Sequence, residues 1–200
     1  MDDVVLRAIA KWPDVPAVYG WLSLDRRGNW AIKGEGIGNP RIAAFIARNY
    51  ACDERGRWFF QNGPQRVYVT LAYAPLIYRT QPGTSLAFVS HTGRAAARVD
   101  RAWLDEQGAL LVEAELGIGV VHDHDLPDVL TRLLGPDGLP MTEEAVDRLL
   151  DEAAGANPGA STHLDTASGL APVYTILAEE VPERFGFDRE PRPAPGEPAC

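Results

Sequence analysis

The chain has 200 residues, 46% apolar and 24% charged, with a formal net charge of −9. That balance is ordinary for a globular protein, and a chain of this length buries roughly 70% of its unfolded surface. No apolar run reaches the roughly 20 residues a bilayer-crossing helix needs, and two cysteines, Cys52 and Cys200, are too few for a disulfide framework. The opening Met1-Asp2-Asp3 has neither a basic region nor a hydrophobic export core, so the expectation is a cytoplasmic, reduced protein without membrane contact. The charge is unevenly placed: residues 1–100 carry 13 Lys and Arg against 8 Asp and Glu, and residues 101–200 carry 6 against 20. The scattered basic residues and the acidic total argue against a nucleic-acid partner.

Residues 2–12 read as a helix capped by Asp2 or Asp3, with Val5, Ile9 and Trp12 on one face and Pro13 and Pro16 ending it. A strand Val18–Leu24 leads into Asp25-Arg26-Arg27-Gly28 and a return strand Asn29–Lys33. Asp at the first position of a type I turn accepts hydrogen bonds from the backbone ahead of it, and Gly at the fourth tolerates a left-handed conformation. Gly34, Gly36 and Gly38 break the chain before Asn39-Pro40, an N-cap followed by a first-turn proline, and a helix Arg41–Asn49 that should bury Ile42, Phe45 and Ile46. The turn phrase returns as Asp53-Glu54-Arg55-Gly56-Arg57-Trp58, so Asp-x-Arg-Gly-x-Trp is written twice, with a blurred third copy at Asp105-Glu106-Gln107-Gly108. Trp30 and Trp58 hold equivalent places after equivalent turns, and all five tryptophans are expected in the core.

After the second turn, Arg57–Gln61 returns, Asn62-Gly63-Pro64 turns again, and the alternation in Arg66–Tyr73 predicts a half-buried strand. Ser85–Ser90, Val99–Leu104 and Ala109–Leu116 follow as strands, and a helix near Asp125-Leu126-Pro127 should bury Val129, Leu130 and Leu133. Thr142 caps a charged helix through about Ala154. Residues 155–169 read as mobile, Pro172–Leu177 as a last helix with strand as its rival, and the Pro-rich stretch from Asp188 as disordered.

Residues 18–49 and 99–134 share one order: hairpin, Gly-rich joint, Pro-initiated helix. The expected fold is therefore α+β, a duplicated unit of antiparallel β-hairpins each followed by a helix, with a C-terminal helical segment. The expected domains are 1–84, an N-terminal helix plus the first repeat; 85–187, the second repeat with a helical insertion at about 136–170; and 188–200, a disordered tail. The stretch Tyr19–Leu71, with its two turn phrases, Gly-Ile-Gly-Asn-Pro joint and Phe59-Phe60-Gln61-Asn62-Gly63-Pro64-Gln65-Arg66-Val67-Tyr68-Val69, resembles an uncharacterised proteobacterial family of unknown function. More distantly, Trp21–Pro75 and Ser85–Leu134 resemble the two halves of another uncharacterised bacterial family. That second resemblance implies repeated α/β motifs and a suggested role in ligand binding or signalling, and it carries no catalytic residues.

The strip Arg57, Gln61, Asn62, Gln65, Arg66 and Tyr68 gathers guanidinium, amide and phenol groups around one tight turn. Such a set suits a small anionic or polar ligand, with Arg66 as the charge partner and Asn62 or Gln65 fixing orientation. His122-Asp123-His124-Asp125 could offer metal ligands, but a site would need a third from His91, His163 or elsewhere, so the plainer reading is a polar loop ending in an Asp N-cap. Gly34-Glu35-Gly36-Ile37-Gly38 lacks dinucleotide-loop spacing, and Gly117-Ile118-Gly119 fails likewise; both read as joints. No nucleophile elbow is present. The expected function is a non-enzymatic module without cofactor that binds a small molecule or a protein partner, with a regulatory use. The alternatives are a metal-assisted hydrolase using His122 and His124, and a scaffold whose 136–170 segment docks a partner.

Overall fold

In the computed structural model, which describes residues 1–12, 15–153 and 162–196, the three Asp-x-x-Gly phrases close the same turn. Asp25 Oδ1 accepts the N–H groups of Arg27 and Asn29, both at 2.8 Å. Asp53 Oδ1 accepts those of Arg55 and Arg57 at 3.0 Å, and Asp105 Oδ1 those of Gln107 and Ala109 at 2.9 and 2.7 Å. In each turn the Asp N–H donates to the carbonyl four residues on at 3.0 Å. The glycines take φ of 83°, 75° and 81°, where a β-carbon is unfavourable.

The chain divides into two compact units, Met1–Pro75 with Phe185–Cys200, and Leu76–Arg184. The first contains α1 (Asp3–Lys11), β1 (Val18–Leu24), β2 (Trp30–Ile32), β3 (Glu35–Gly36), α2 (Pro40–Arg48), β4 (Tyr50–Cys52), β5 (Trp58–Asn62) and β6 (Gln65–Leu71). Its sheet has the order β3-β2-β1-β6-β5-β4: two antiparallel meanders whose β1 and β6 run parallel side by side. Tyr68 and Val69 are both fully buried. Consecutive strand residues point to opposite faces, so central β6 is covered on both sides and is not the half-buried strand its alternation suggests. Asn39 caps α2 by accepting the Arg41 N–H at 2.9 Å, and Ile46 is buried while Ile42 stays 47% exposed, against expectation. Asp2 holds the N-cap place of α1 without capping it; its carboxylate pairs with Arg48 at 3.2 Å. Val5 anchors α1, but Trp12 and Trp21 are about half exposed, so only Trp30 and Trp103 are fully buried tryptophans. Trp30 and Trp58 do share a partner, the ring of Tyr50, at 5.1 and 4.8 Å.

Of the stretch expected to be disordered from Asp188, residues 188–191 pack against this unit. The Asp188 N–H donates to Gly56 O at 3.0 Å, the Leu71 N–H donates to Arg189 O at 2.8 Å, and the Arg189 guanidinium reaches Ala72 O. Pro191 is buried. Gly56 is required twice over: its φ is positive, and a β-carbon would lie 2.9 Å from the carbonyl carbon of Gly186 and 3.0 Å from Phe187 Cα.

The second unit contains β7 (Leu76–Thr80), β8 (Phe88–Ser90), β9 (Ala95–Ala96), β10 (Val99–Asp105), β11 (Leu110–Ala114), β12 (Gly117–Val121), α3 (Leu126–Leu130), β13 (Leu133–Leu134), α4 (Glu143–Ala153), β14 (Thr162–Thr166) and β15 (Gly169–Ile176). The last helix, α5 (Val181–Phe185), ends at the first residue of the returning segment. The nine strands form three meanders in the order β13-β14-β15-β10-β11-β12-β7-β8-β9, with parallel joins at β10–β15 and β12–β7. A single pairing rule covers both sheets: the first strand of a meander lies parallel to the last strand of the next, as β1 with β6, β7 with β12 and β10 with β15. Helices follow β3 and β12, whereas β10 succeeds β9 directly, so a hairpin plus a helix is not a uniform building block.

Several expectations change in this unit. Pro172–Leu177 lies in strand through Ile176 and not in a helix, because its β-branched residues pair with both β14 and β10. Residues 162–169 form β14 and its turn into β15, while residues 155–161 lie outside the described residues. Gly117-Ile118-Gly119 is strand, not joint. A β-carbon on Gly119 would meet Leu76 O and the Tyr78 ring at 2.7 Å, which is why glycine stands there. Leu133 is buried in β13 instead of α3. The core of the unit gathers Tyr78, Phe88, Leu110, Leu111, Val129, Leu133 and Leu164.

Candidate functional site

The six residues of the sequence strip lie on the β5–β6 hairpin, whose register pairs Gln61 with Arg66, Phe59 with Tyr68 and Asn62 with Gln65. Alternation places Arg57, Gln61, Arg66 and Tyr68 on one face and Asn62 and Gln65 on the other. The hairpin does not bring all six to one surface. Gln61 is buried and donates to Gly63 O at 2.9 Å, Gln65 donates to Pro16 O at 3.0 Å, and Asn62 is exposed.

Arg57 and Tyr68 form a buried network with two residues outside the strip, Asp53 and Tyr19. Arg57 Nε donates to Asp53 Oδ2 at 2.8 Å, Nη2 to the Tyr68 hydroxyl at 2.9 Å and Nη1 to the Tyr19 hydroxyl at 3.3 Å. The Tyr68 hydroxyl donates to Asp53 Oδ2 at 3.0 Å. The rings of Tyr19 and Tyr68 stack with centroids 4.5 Å apart and 12° between planes. The turn itself supplies the logic: Asp53 Oδ1 is occupied by the turn amides, leaving Oδ2 to neutralise the guanidinium four residues on. Burial alone would raise the Asp53 carboxyl, but the N–H groups of Arg57 and Arg55, the guanidinium and the Tyr68 hydroxyl together hold it below the usual carboxylate range. The Tyr68 phenol is pushed up, chiefly by burial.

Beside this network opens a cleft of about 520 Å³ lined by Cys52, Asp53, Glu54, Arg55, Arg57, Phe59 and Arg66, so two carboxylates share it with three guanidinium groups. Arg66 lies over the Phe59 ring at 4.7 Å. Arg55 and Arg66 are exposed, and neither forms an ion pair with a carboxylate among the described residues. The Cys52 thiol is pushed up to about 11 by burial and by Asp53, so at neutral pH it is protonated and a poor nucleophile.

In the second unit the His122–Asp125 loop is engaged internally. His122 Nδ1 accepts the His124 N–H at 3.1 Å. Asp125 takes Arg79 Nε and Nη2 at 2.7 and 3.0 Å and the Thr80 N–H at 2.8 Å. Asp125 stands at the N-cap place of α3, yet its side chain makes no cap bond, having been taken by Arg79. The guanidinium holds the Asp125 carboxyl low, and burial followed by Arg79 lowers the His122 imidazole. Among the described residues no group of three or more His, Cys, Asp or Glu is arranged to hold a metal ion. No helix among them is long and apolar enough to cross a membrane.

Two antiparallel-meander sheets decorated by short helices define an α+β protein with an arginine-bearing cleft in its first unit. The chain belongs to the family described as "Protein of unknown function (DUF2946)", whose model matches residues 1–192. Its fold is similar to that of a DUF1285 family protein from Silicibacter pomeroyi DSS-3, at 14% identity over 90% of this chain and 98% of that one, with a TM-score of 0.53. A DUF1285 family protein from Shewanella baltica OS155 matches 57% of this chain and 91% of its own at 20% identity, with a TM-score of 0.41. No curated protein matches the chain. The resemblance read from the two turn phrases and the Phe59–Val69 stretch, an uncharacterised family with a second uncharacterised family at a distance, therefore holds.

Proposed function

We propose that this protein is a non-enzymatic, cytoplasmic binding module with a regulatory use, and that it takes a small anionic ligand in the cleft between the Asp53–Gly56 turn and the β5–β6 hairpin. One observation carries the reading: Arg55 and Arg66 project exposed guanidinium groups beside Phe59 without a carboxylate partner among the described residues. Guanidinium groups recognise carboxylate and phosphate through paired, charge-assisted hydrogen bonds. In this reading Arg55 and Arg66 contact the ligand. Arg57 and Tyr68, neutralised and braced by Asp53 and Tyr19, hold the wall of the cleft. Gln61, Asn62 and Gln65 shape the hairpin tip. The recurrence of one turn at Asp25, Asp53 and Asp105, with the shared pairing rule of the meanders, supports descent of the two units from one duplicated element.

The test is isothermal titration of the full chain with phosphate, pyrophosphate, nucleotides and dicarboxylates at low and high salt. At least one anion should bind, weaken as salt rises, and lose tenfold or more in Arg55→Gln and in Arg66→Gln. Silence across the panel, or unchanged affinity in both variants, rejects the proposal.

A further inference from the structure

The acidic balance of the second half of the chain gathers on α4, which carries Glu143, Glu144, Asp147 and Asp151 against Arg148. The helix divides its apolar residues between two duties. Leu149 is buried. Val146 and Leu150, one turn apart, instead line a groove of about 410 Å³, together with Pro127, Leu130 and Thr131 from α3 and its C-terminal end and Met141 from the loop before α4. Leu130, Met141, Val146 and Leu150 are only half-buried, so the floor of the groove is apolar surface left partly open to water. Glu143 and Asp147 lie on the same helix face as Val146 and Leu150, because residues three, four and seven apart share one side of a helix. Both carboxylates are exposed, and neither forms an ion pair among the described residues. Arg148 falls on a different face, where its Nε donates to Glu144 O at 3.2 Å. Arg132, just past α3, gives Nη2 to Thr84 O at 3.2 Å. Residues 154–161 contain only Ala, Gly, Asn, Pro and Ser, so their sequence brings neither a large apolar group nor a cation to the groove.

We propose that this groove docks a basic amphipathic helix of another protein. Apolar side chains of that helix, spaced i, i+3 or i+4 and i+7, enter between Leu130, Met141, Val146 and Leu150, and its flanking Lys or Arg residues meet Glu143 and Asp147. Burial of the apolar stripe supplies the affinity, while the carboxylates steer approach and fix orientation. The rim also selects the class of partner. An uncharged apolar groove would accept any apolar segment, whereas this one favours a cationic segment and repels phosphate backbones and anionic lipid headgroups. The groove lies wholly within the second unit and shares no residue with the anion cleft of the first.

Methyl NMR on the full chain, labelled at Leu, Val and Met, tests this with three synthetic peptides. One repeats Leu-Lys-Lys-Leu-Leu-Lys-Lys, the second is a scramble of it without the apolar stripe, and the third has every Lys of the first changed to Glu. At physiological salt the first should bind at least tenfold more tightly than either of the others and shift the methyl resonances of Leu130, Met141, Val146 and Leu150. Glu143→Gln combined with Asp147→Asn, both at exposed positions, should weaken binding about tenfold while keeping the wild-type circular dichroism spectrum. Equal binding of the scramble, which marks charge attraction alone, would overturn the proposal. So would methyl shifts confined to other residues, full binding by the folded double variant, or no binding of the first peptide at millimolar concentration. Movement of the same four methyl resonances on dilution of the protein alone would overturn it too, by making a second copy the occupant.

Discussion

Gly56→Ala, compared with Gly108→Ala, isolates the contribution of the returning segment. Both glycines close the same Asp-initiated turn at φ of 75° and 81°, so an added methyl carries the same left-handed cost of about 1–2 kcal/mol at each. At Gly108 the new β-carbon meets only Leu150 Cδ2 at 3.9 Å, an ordinary contact. At Gly56 it collides with Gly186 O and approaches Phe187 Cα at 3.0 Å, and backbone on both sides leaves no flexible group to yield. Relief requires the returning segment to lift. That exposes Phe187, now 7% accessible, at about 1.5–3 kcal/mol, and breaks the Asp188–Gly56 and Leu71–Arg189 backbone bonds at about 1 kcal/mol each. Gly56→Ala should therefore destabilise the first unit by about 3–5 kcal/mol more than Gly108→Ala destabilises the second. Urea unfolding followed by hydrogen exchange at the Leu71 and Asp188 amides reads both the magnitude and the place. Equal losses in the two variants, or full protection of both amides in Gly56→Ala, would refute the reasoning.

Asp53→Asn keeps an oxygen for the turn amides but leaves the buried Arg57 guanidinium uncompensated, with an expected loss of about 3–5 kcal/mol in urea unfolding. Because the folded Asp53 pKa lies below its ordinary value near 3.8, its contribution is complete above about pH 4 and lost as pH falls through the lower folded value; Asp53→Asn should flatten the acid limb of first-unit stability. His91, whose Nδ1 accepts the Ile77 N–H at 3.2 Å, is pushed down by burial to about 4. The unfolded chain then takes up the proton first, so stability of the second unit should fall by up to about 3 kcal/mol between pH 6.5 and 4. His91→Asn, which supplies an oxygen near the Nδ1 position, should remove that slope, and an unchanged profile would exclude His91 as its source. Arg79→Met should destabilise the second unit by about 2–4 kcal/mol, since Asp125 would keep only the Thr80 N–H; a thermal midpoint within a degree of wild type contradicts this.

What the sequence made legible was local. Asp25, Asp53 and Asp105 announce their turns because Asp and Gly satisfy them within five residues, and Asn39-Pro40 announces α2 for the same reason. What it hid depended on distant pairing. Gly117-Ile118-Gly119 looks like a joint until β7 lies against it and fills the space a side chain would need. Pro172–Ile176 has no decisive helix or strand preference of its own; parallel pairing with β10 settles it as strand. At the candidate site, Arg57, Arg66 and Tyr68 could be picked out as neighbours on a hairpin, but Tyr19 arrives through the parallel β1–β6 join and leaves no signal in the local pattern. Trp12 and Trp21 misled because a large apolar side chain was equated with the core, although single apolar groups on a surface are common.

The second unit is spliced into the first, and this has a consequence for synthesis on the ribosome. Leu71 and Ala72 receive their partner Arg189 from 118 residues downstream, which at about 5–20 residues per second means a wait on the order of ten seconds. Throughout that interval the emerging six-stranded sheet lacks its last seam, while the nine-stranded one is still being made. The Asp53–Gly56 turn thus receives its Asp188 partner only after the whole second unit has been synthesised, so a chain halted early would present that turn without this backbone bond.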